Sequence, residues 1–311
     1  MKTVVTSDVV EAAGFITRGG IVAFPTETVY GLGANVFDAN AIEKVFTAKK
    51  RPADNPLIAH ISRLEQLDKL ASTVTPAAQA LIGAFFPGPL TVVLPRMSAV
   101  PDMATAGLYT LGIRMPRNEV ARAFMDACGT PLVAPSANLS GRPSPTRWQA
   151  VLEDLDSRVD CILKGDPTEI GLESTVVDCS GETPILLRQG AISLEQLRAI
   201  VPETRVLDGG EQGELRSPGL RHKHYSPAAK VVLIDDPGMI DANAAYIGLT
   251  SLSGEMAYTR ICKDVREYAH EVFEFFRECD RRGIATIYCE RVPRVGIGAA
   301  LMDRLQRAAQ G

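Results

Sequence analysis

The chain has 311 residues, 46% of them hydrophobic and 23% charged, about twice a common single-domain length and a balance that excludes wholesale disorder. Its 33 Lys and Arg against 37 Asp and Glu leave a net charge of −4, which argues against non-specific wrapping of nucleic acid, a mode that relies on many phosphate-neutralising cations. The first twenty residues carry a broken apolar pattern without a signal-peptide core, and no apolar stretch approaches the ~20 residues of a spanning helix. Six cysteines without a CxxC pair predict reduced, mostly buried thiols and a cytoplasmic setting, and the four histidines show no metal-ligand spacing.

Taken along the chain, Ile21–Phe24 is a short apolar run ended by Pro25, the pattern of a buried strand. Ala39–Ala48 has helical spacing, with Ile42, Val45 and Phe46 on one face and Lys44 and Lys49 off it. Leu57–Ile61, Thr91–Leu94, Leu111–Arg114 and Leu132–Ala134 read as strands, with helical patterns at Pro76–Phe85, Glu119–Ala127 and Pro145–Leu155 between several of them. Val159–Leu163, Ser174–Cys179 and Ile185–Leu187 follow as strands, then a helix capped by Ser193. This alternation predicts an α/β domain with a twisted, mixed sheet over residues 1–203. Residues 204–228 are rich in glycine and poor in large aliphatics, and predict an irregular linker; loops this long in compact proteins are usually functional or disordered. Strands at Lys230–Ile234, Tyr246–Leu249 and Ile284–Tyr288, with helices at Val265–Arg281 and Gly298–Ala309, predict a smaller, Rossmann-like α/β domain over 229–311.

Several strand ends carry polar chemistry. PTETVYGLG at 25–33 opens the first strand into hydroxyls, a carboxylate and glycines, which suits a ligand site and equally a satisfied turn. No GxGxxG or Walker A sequence occurs, so a bound nucleotide is not held by a P-loop. Lys44, Lys49, Lys50 and Arg51 cluster just before Pro52, Asp54, Asn55 and Pro56. Such a run is a solvated helix end by the plain reading. As a site, mobile ammoniums beside a planar guanidinium suit a polyphosphate, each cation giving ~4 kcal/mol at ~4 Å and an effective dielectric of about 20. His60 and Arg114 each end a strand, where a structural histidine and a surface ion pair are the dull alternatives. Ala134–Gly141, APSANLSG, brings small hydroxyl and amide side chains to another strand end, fitting either an anion site or a helix cap. Glu173-Ser174-Thr175 opens a further strand, and Arg188 follows Ile185–Leu187.

Together these segments resemble the YrdC/TsaC family of threonylcarbamoyl-adenylate synthases. The resemblance is carried by PTETVYGLG at 25–33, KKRPADNPLIAH at 49–60, TAGLYTLGIRMP at 105–116, APSANLSGRPSPT at 134–146, ESTVVD at 173–178 and ILLRQGAI at 185–192. SPGLRHKHYSP at 217–227 is similar to the linker of the family's longer, two-domain form. The likeness is dense over roughly 1–230 and looser beyond.

The resemblance implies an enzyme that joins L-threonine, bicarbonate and ATP into threonylcarbamoyl-AMP and releases pyrophosphate. The product would pass to a separate tRNA threonylcarbamoyl transferase that modifies the adenosine beside the anticodon, and the fold leaves room for a weak tRNA contact. By the same resemblance Lys49, Arg51, Ser136 and Asn138 match a KxR and SxN nucleotide signature, with Lys49 and Arg51 in the catalytic role. Asn55, Thr110, Ser144, Arg188 and Tyr225 match further nucleotide contacts, and Thr28, His60, Arg114, Ala134 (through its backbone) and Ser174 match the threonine pocket. Mg²⁺ would accompany ATP, with no metal ligand from protein side chains. These residue types fit the roles: Arg114 can fork onto a carboxylate, and Thr28, Ser174 and His60 can address a hydroxyl and an amine. The linker, with Tyr225 and two histidines, is expected to fold over the cleft and exclude water.

Two features depart from the pattern. Gln189 stands where the family often has proline, and RVGIGAALMDRLQRAAQ at the end matches the family's closing segment only in part. The competing classes are a double-stranded RNA or tRNA binding module, disfavoured by the net charge of −4, and an O-carbamoyl transferase, whose acylphosphatase-like and zinc segments are not visible.

Overall fold

The structure, a computed structural model, describes residues 2–207, 225–237, 241–252, 254 and 256–310. An 11-stranded mixed sheet runs in the spatial order Val4–Thr6, Cys161–Leu163, Val22–Phe24, Gly31–Asn35, Leu132–Val133, Ile58–His60, Thr110–Arg114, Leu90–Pro95, Thr175–Asp178, Ile185–Arg188, Arg205–Val206. Strand alternation sends neighbouring residues to opposite faces, and both faces are covered. Ala23, Val133 and Ile162 join one apolar core, while Val22, Phe24, Leu132, Cys161 and Leu163 join another beneath the helices Val9–Thr17 and Glu119–Cys128.

The helices start where side chains can satisfy the first free amides. Asp38 accepts from the Asn40 and Ala41 amides, Thr75 from Ala78 ahead of a helix that begins with Pro76, and Ser193 shares a capping box with Gln196. The helix Ala39–Lys49 buries Ile42, Val45 and Phe46 as its spacing predicts. Lys49, expected off that face, is buried as well. Its neighbour Lys50 takes the left-handed conformation that stops the helix and turns the chain toward Arg51.

Several elements escaped the sequence pattern. Gly31–Asn35, inside the expected loop, is a strand antiparallel to Val22–Phe24. Its glycines are there for room: a Cβ on Gly33 would lie 3.0 Å from the Phe24 ring. Val4–Thr6 and the helix Val9–Thr17 form from the opening residues, and Arg205–Val206, in the expected linker, pairs in parallel with Ile185–Leu186 at the sheet edge. Residues 208–224, which hold most of that linker and both His222 and His224, lie outside the described residues.

A second, wholly parallel sheet orders Lys230–Ile234, Thr286–Glu290, Ala245–Gly248 and Tyr258–Ile261, packed with the helices Val265–Arg281 and Ile297–Ala309. Tyr258–Ile261 escaped notice because its YTRI alternates half-buried and exposed at an edge. This unit docks on the first through buried polar contacts. Arg277, 1% exposed, donates to Asp154 at 2.8 Å and to the Pro143 carbonyl at 2.5 Å, and the His270 Nε2 proton goes to the Thr168 carbonyl at 2.8 Å. Gly171 permits the approach: its φ is +81°, and a Cβ there would sit 2.5 Å from the His270 carbonyl oxygen. Gly171→Ala should cost about 1–3 kcal/mol from the backbone conformation alone, before the clash is added. A thermal unfolding scan with an unchanged midpoint would contradict it.

Candidate active site

A partly open cavity lies where several strand ends of the large sheet meet Tyr225. Nine of the fourteen residues singled out from the sequence line it: Thr28, Arg51, His60, Arg114, Ala134, Ser136, Ser174, Arg188 and Tyr225. Arg51 and Arg114, from segments far apart in the chain, thus face one volume. The other five, Lys49, Asn55, Thr110, Asn138 and Ser144, are buried but are not among the lining residues.

Four of those five stand behind the wall and hold it. The Lys49 ammonium donates to the carbonyls of Ser136 and, at 2.5 Å, Asn138, so it ties the 134–141 loop from beneath. Asn138 braces the same loop by donating to the Leu139 and Arg142 carbonyls at 2.8 and 2.9 Å. The Asn55 carbonyl accepts from Arg51 Nε at 3.2 Å, and the Pro56 carbonyl from its Nη2 at 2.9 Å. Ser144 donates to Glu173 at 2.6 Å. Thr110 only opens the strand that ends on Arg114, and its hydroxyl has no partner among the described residues.

On one side of the cavity, Arg114 donates to Thr28 Oγ1 at 2.8 Å and stands 2.7 Å from a carboxylate oxygen of Glu27, both members of the pair being 5% exposed or less. Glu27 was not singled out from the sequence; the signal was present in the PTETV run, but only the fold brings Arg114 onto it. Ser174 Oγ lies 2.8 Å from Thr91 Oγ1, and Arg188 donates to the Ser174 carbonyl and hydroxyl at 3.0 and 3.1 Å. His60 Nδ1 is 3.1 Å from the Ile58 carbonyl, an atom that can only accept, so the proton is on Nδ1 and Nε2 keeps its lone pair.

Burial dominates the electrostatics. It lowers the Lys49 ammonium well below its usual range, with the Arg51 charge adding to the effect, and it brings Arg51 down to about 10. Burial, then the Arg114 cation, lowers His60 from the usual 6.5 to about 3. The imidazole is therefore neutral in any physiological buffer. Because the unfolded chain binds this proton between pH 6.5 and 3 and the folded one does not, His60 takes away a few kcal/mol of stability as pH falls through that window. His60→Gln should flatten that part of the acid unfolding curve; a curve as steep as before would refute the assignment.

Tyr225 closes the cavity from the second unit's side. It has a positive φ of 66°, stacks on Phe273 with ring centroids 5.4 Å apart, and lies beneath the Arg304 guanidinium at 5.2 Å. Glu173, another lining residue missed as a functional one, takes a bond from Arg304 Nε at 2.9 Å.

A family profile for Sua5/YciO/YrdC, described as "Telomere recombination", matches residues 14–190, and one described as "Threonylcarbamoyl-AMP synthase, C-terminal domain" matches 192–310. A threonylcarbamoyl-AMP synthase of Pyrococcus abyssi is 41% identical, covering 96% of this chain and 93% of the relative. The chain belongs to the Sua5/YciO/YrdC family.

Its full-length likeness within the Sua5/YciO/YrdC family extends to Bacillus subtilis, where a threonylcarbamoyl-AMP synthase is 38% identical over 97% of this chain and 93% of that one. The crystal structure of P. abyssi Sua5 complexed with L-threonine superposes with a TM-score of 0.90 at 38% identity, over 99% of this chain and 97% of that one. In this Sua5/YciO/YrdC member the helix Leu194–Ile200 and the edge strand Arg205–Val206 fall within the second profile's range, yet the strand belongs to the large sheet.

Proposed function

We propose that this chain is a threonylcarbamoyl-AMP synthase, converting L-threonine, bicarbonate and ATP into threonylcarbamoyl-AMP and pyrophosphate. The observation that carries the reading is the shared cavity: Arg51 and Arg188 line the same volume as Thr28, His60, Arg114 and Ser174. A polyanion would answer the buried cationic charge of Arg51 and Arg188. Arg114 would take the threonine carboxylate, with Thr28, Ser174 and the His60 Nε2 lone pair near its hydroxyl and amine, and the Ala134 backbone alongside.

In the reaction, the threonine amine adds to bicarbonate with loss of water to give a carbamate. A carbamate oxygen then attacks the α-phosphorus of ATP, the bond to the β-phosphate breaks, and pyrophosphate leaves. Arg51 would stabilise that leaving charge, while Lys49, Asn55, Asn138 and Ser144 would act through the loops and side chains they hold. Thr110 would serve at the nucleotide end as the start of the Arg114 strand. Mg²⁺ belongs with ATP as substrate: among the described residues no cluster of three or more His, Cys, Asp or Glu could hold a metal, and phosphate oxygens and water are its ordinary ligands in such sites. The expected division at 203/204 moves to the end of the sheet: we place the catalytic part at 1–207, because Arg205–Val206 extends its sheet, the linker at 208–228 and the second domain at 229–311, with Tyr225 shielding a mixed anhydride that water would destroy.

The product's lability fits direct use by a tRNA threonylcarbamoyl transferase, and we propose a weak tRNA contact on this chain. A cytoplasmic setting suits the six free, buried cysteines, and no helix among the described residues is long and apolar enough to cross a membrane. Incubation with ATP, L-threonine and bicarbonate, omitting each in turn, should yield threonylcarbamoyl-AMP by mass only with all three present. Adenylate formed without threonine or bicarbonate would overturn the reading. Serine should replace threonine with roughly 10–200-fold lower kcat/KM, because one methyl in a pocket is worth about 1–3 kcal/mol. Equal use of the two amino acids would mean the methyl is not enclosed.

A further inference from the structure

Glu173 poses an electrostatic problem for a site that binds a triphosphate. It is a carboxylate, 7% exposed, lining the cavity beside Ser174 and facing the same volume as Arg51 and Arg188. An unpaired anion there would repel each phosphate with the strength that low-dielectric surroundings give to charge. Arg188 of the catalytic unit adds to the field that holds Glu173 charged, but among the described residues the cation in direct contact with it comes from the second unit. Arg304, 0% exposed, reaches in from the closing helix Ile297–Ala309 and donates to one Glu173 oxygen at 2.9 Å, while Ser144 donates to the other at 2.6 Å. The same guanidinium donates to the Gln189 carbonyl at 3.0 Å, next to Arg188, and to Asp303, and it lies over the Tyr225 ring.

We infer that Arg304 is a positioning residue for the nucleotide: the second unit supplies, through this one side chain, the charge that keeps Glu173 from opposing ATP and the platform that holds Tyr225 and the Arg188 segment at the cavity. The inference rests on the proposed ATP-dependent activity. Docking alone does not account for the pair. Arg277 with Asp154 already joins the two units outside the lining residues, and a buried ion pair is weak as a stabiliser compared with apolar packing. Burial would favour the neutral acid at Glu173, yet Arg304 and Arg188 together hold its carboxyl below the usual range, so it stands as an anion needing a partner. Burial likewise opposes charge on Arg304, and the surrounding Tyr225, Glu173 and Asp303 outweigh it and raise its affinity for the proton.

The experiment uses the full chain and separate KM values for ATP and threonine from pyrophosphate release. Arg304→Gln should raise the ATP KM roughly 30-fold or more, the lower end of the scale of removing one partner of a buried charge pair, with a smaller change in the threonine KM. Arg304→Lys, which keeps the charge, should stay within severalfold of the parent. The double variant Arg304→Gln/Glu173→Gln should recover most of the ATP affinity, because the offending anion is gone; a purely structural contact would not be rescued in this way. Glu173→Gln alone should lower the ATP KM, and it decides the matter even if Arg304→Gln does not fold. An ATP KM unchanged by Arg304→Gln, a double variant as impaired as the single, or a raised ATP KM in Glu173→Gln would each overturn the inference. Failure of the unsubstituted chain to consume ATP would instead refute the proposed activity.

Discussion

Arg114→Gln should lose about 3–5 kcal/mol of stability together with threonine binding, the largest combined effect expected from a single substitution. The cause lies at Glu27. That carboxylate is 0% exposed, and the Arg114 guanidinium 2.7 Å away is its counter-charge. Removing the cation leaves a negative charge inside the protein with no compensation, and also frees Thr28 from the 2.8 Å bond that orients its hydroxyl. Chemical denaturation and threonine calorimetry separate the two losses. Adding Glu27→Gln to Arg114→Gln should restore much of the stability, because the buried charge is then gone, and should leave threonine binding absent, because the proposed carboxylate anchor is still missing. Restored threonine binding in the double variant would show that Arg114 supports the fold without touching the substrate.

Lys49→Met should do nearly the opposite, leaving stability close to the parent while lowering kcat/KM for ATP by about a hundredfold or more, the cost of misplacing reacting groups by an ångström. Burial disfavours the Lys49 charge strongly, so exchanging it for a thioether of similar length relieves a desolvation penalty that offsets the two lost hydrogen bonds. Activity suffers because those bonds fix the carbonyls of Ser136 and Asn138, and with them the loop that lines the cavity beside Arg51. Pyrophosphate release dependent on threonine and bicarbonate gives the readout, with thermal unfolding as the control. Full activity in Lys49→Met would remove Lys49 from the site.

The two predictions separate positions that the sequence treats alike. Lys49 and Arg51 sit two apart in one basic run, yet Arg51 lines the cavity while Lys49 turns under the neighbouring loop. The helix spacing could not reveal this, because Lys49 ends the helix and its direction depends on the left-handed turn at Lys50 and on where residues 134–141 lie. In the same way Glu27 and Glu173 are legible as carboxylates beside hydroxyls. What makes them matter is the arrival of Arg114 from a neighbouring part of the sheet and of Arg304 from the closing helix, 131 residues along the chain from Glu173.

By itself the sequence determined what local physics controls. Apolar runs ended by proline or polar clusters became strands, Val265–Arg281 became a helix between those residues, and Ser193 became the cap its capping-box partner Gln196 requires. It also determined which chemical groups reach the strand ends, since those stretches are short and carry their own punctuation. Tertiary structure alone decided the pairings. Gly31–Asn35 is a strand because Val22–Phe24 and Leu132–Val133 flank and pair with it, its glycines leaving room for the Phe24 ring, and Arg205–Val206 is one because it pairs with the sheet edge at Ile185–Leu186. The counter-charges of Glu27 and Glu173 were decided the same way: ion pairs between distant residues depend on burial and approach, quantities that no spacing along the chain encodes.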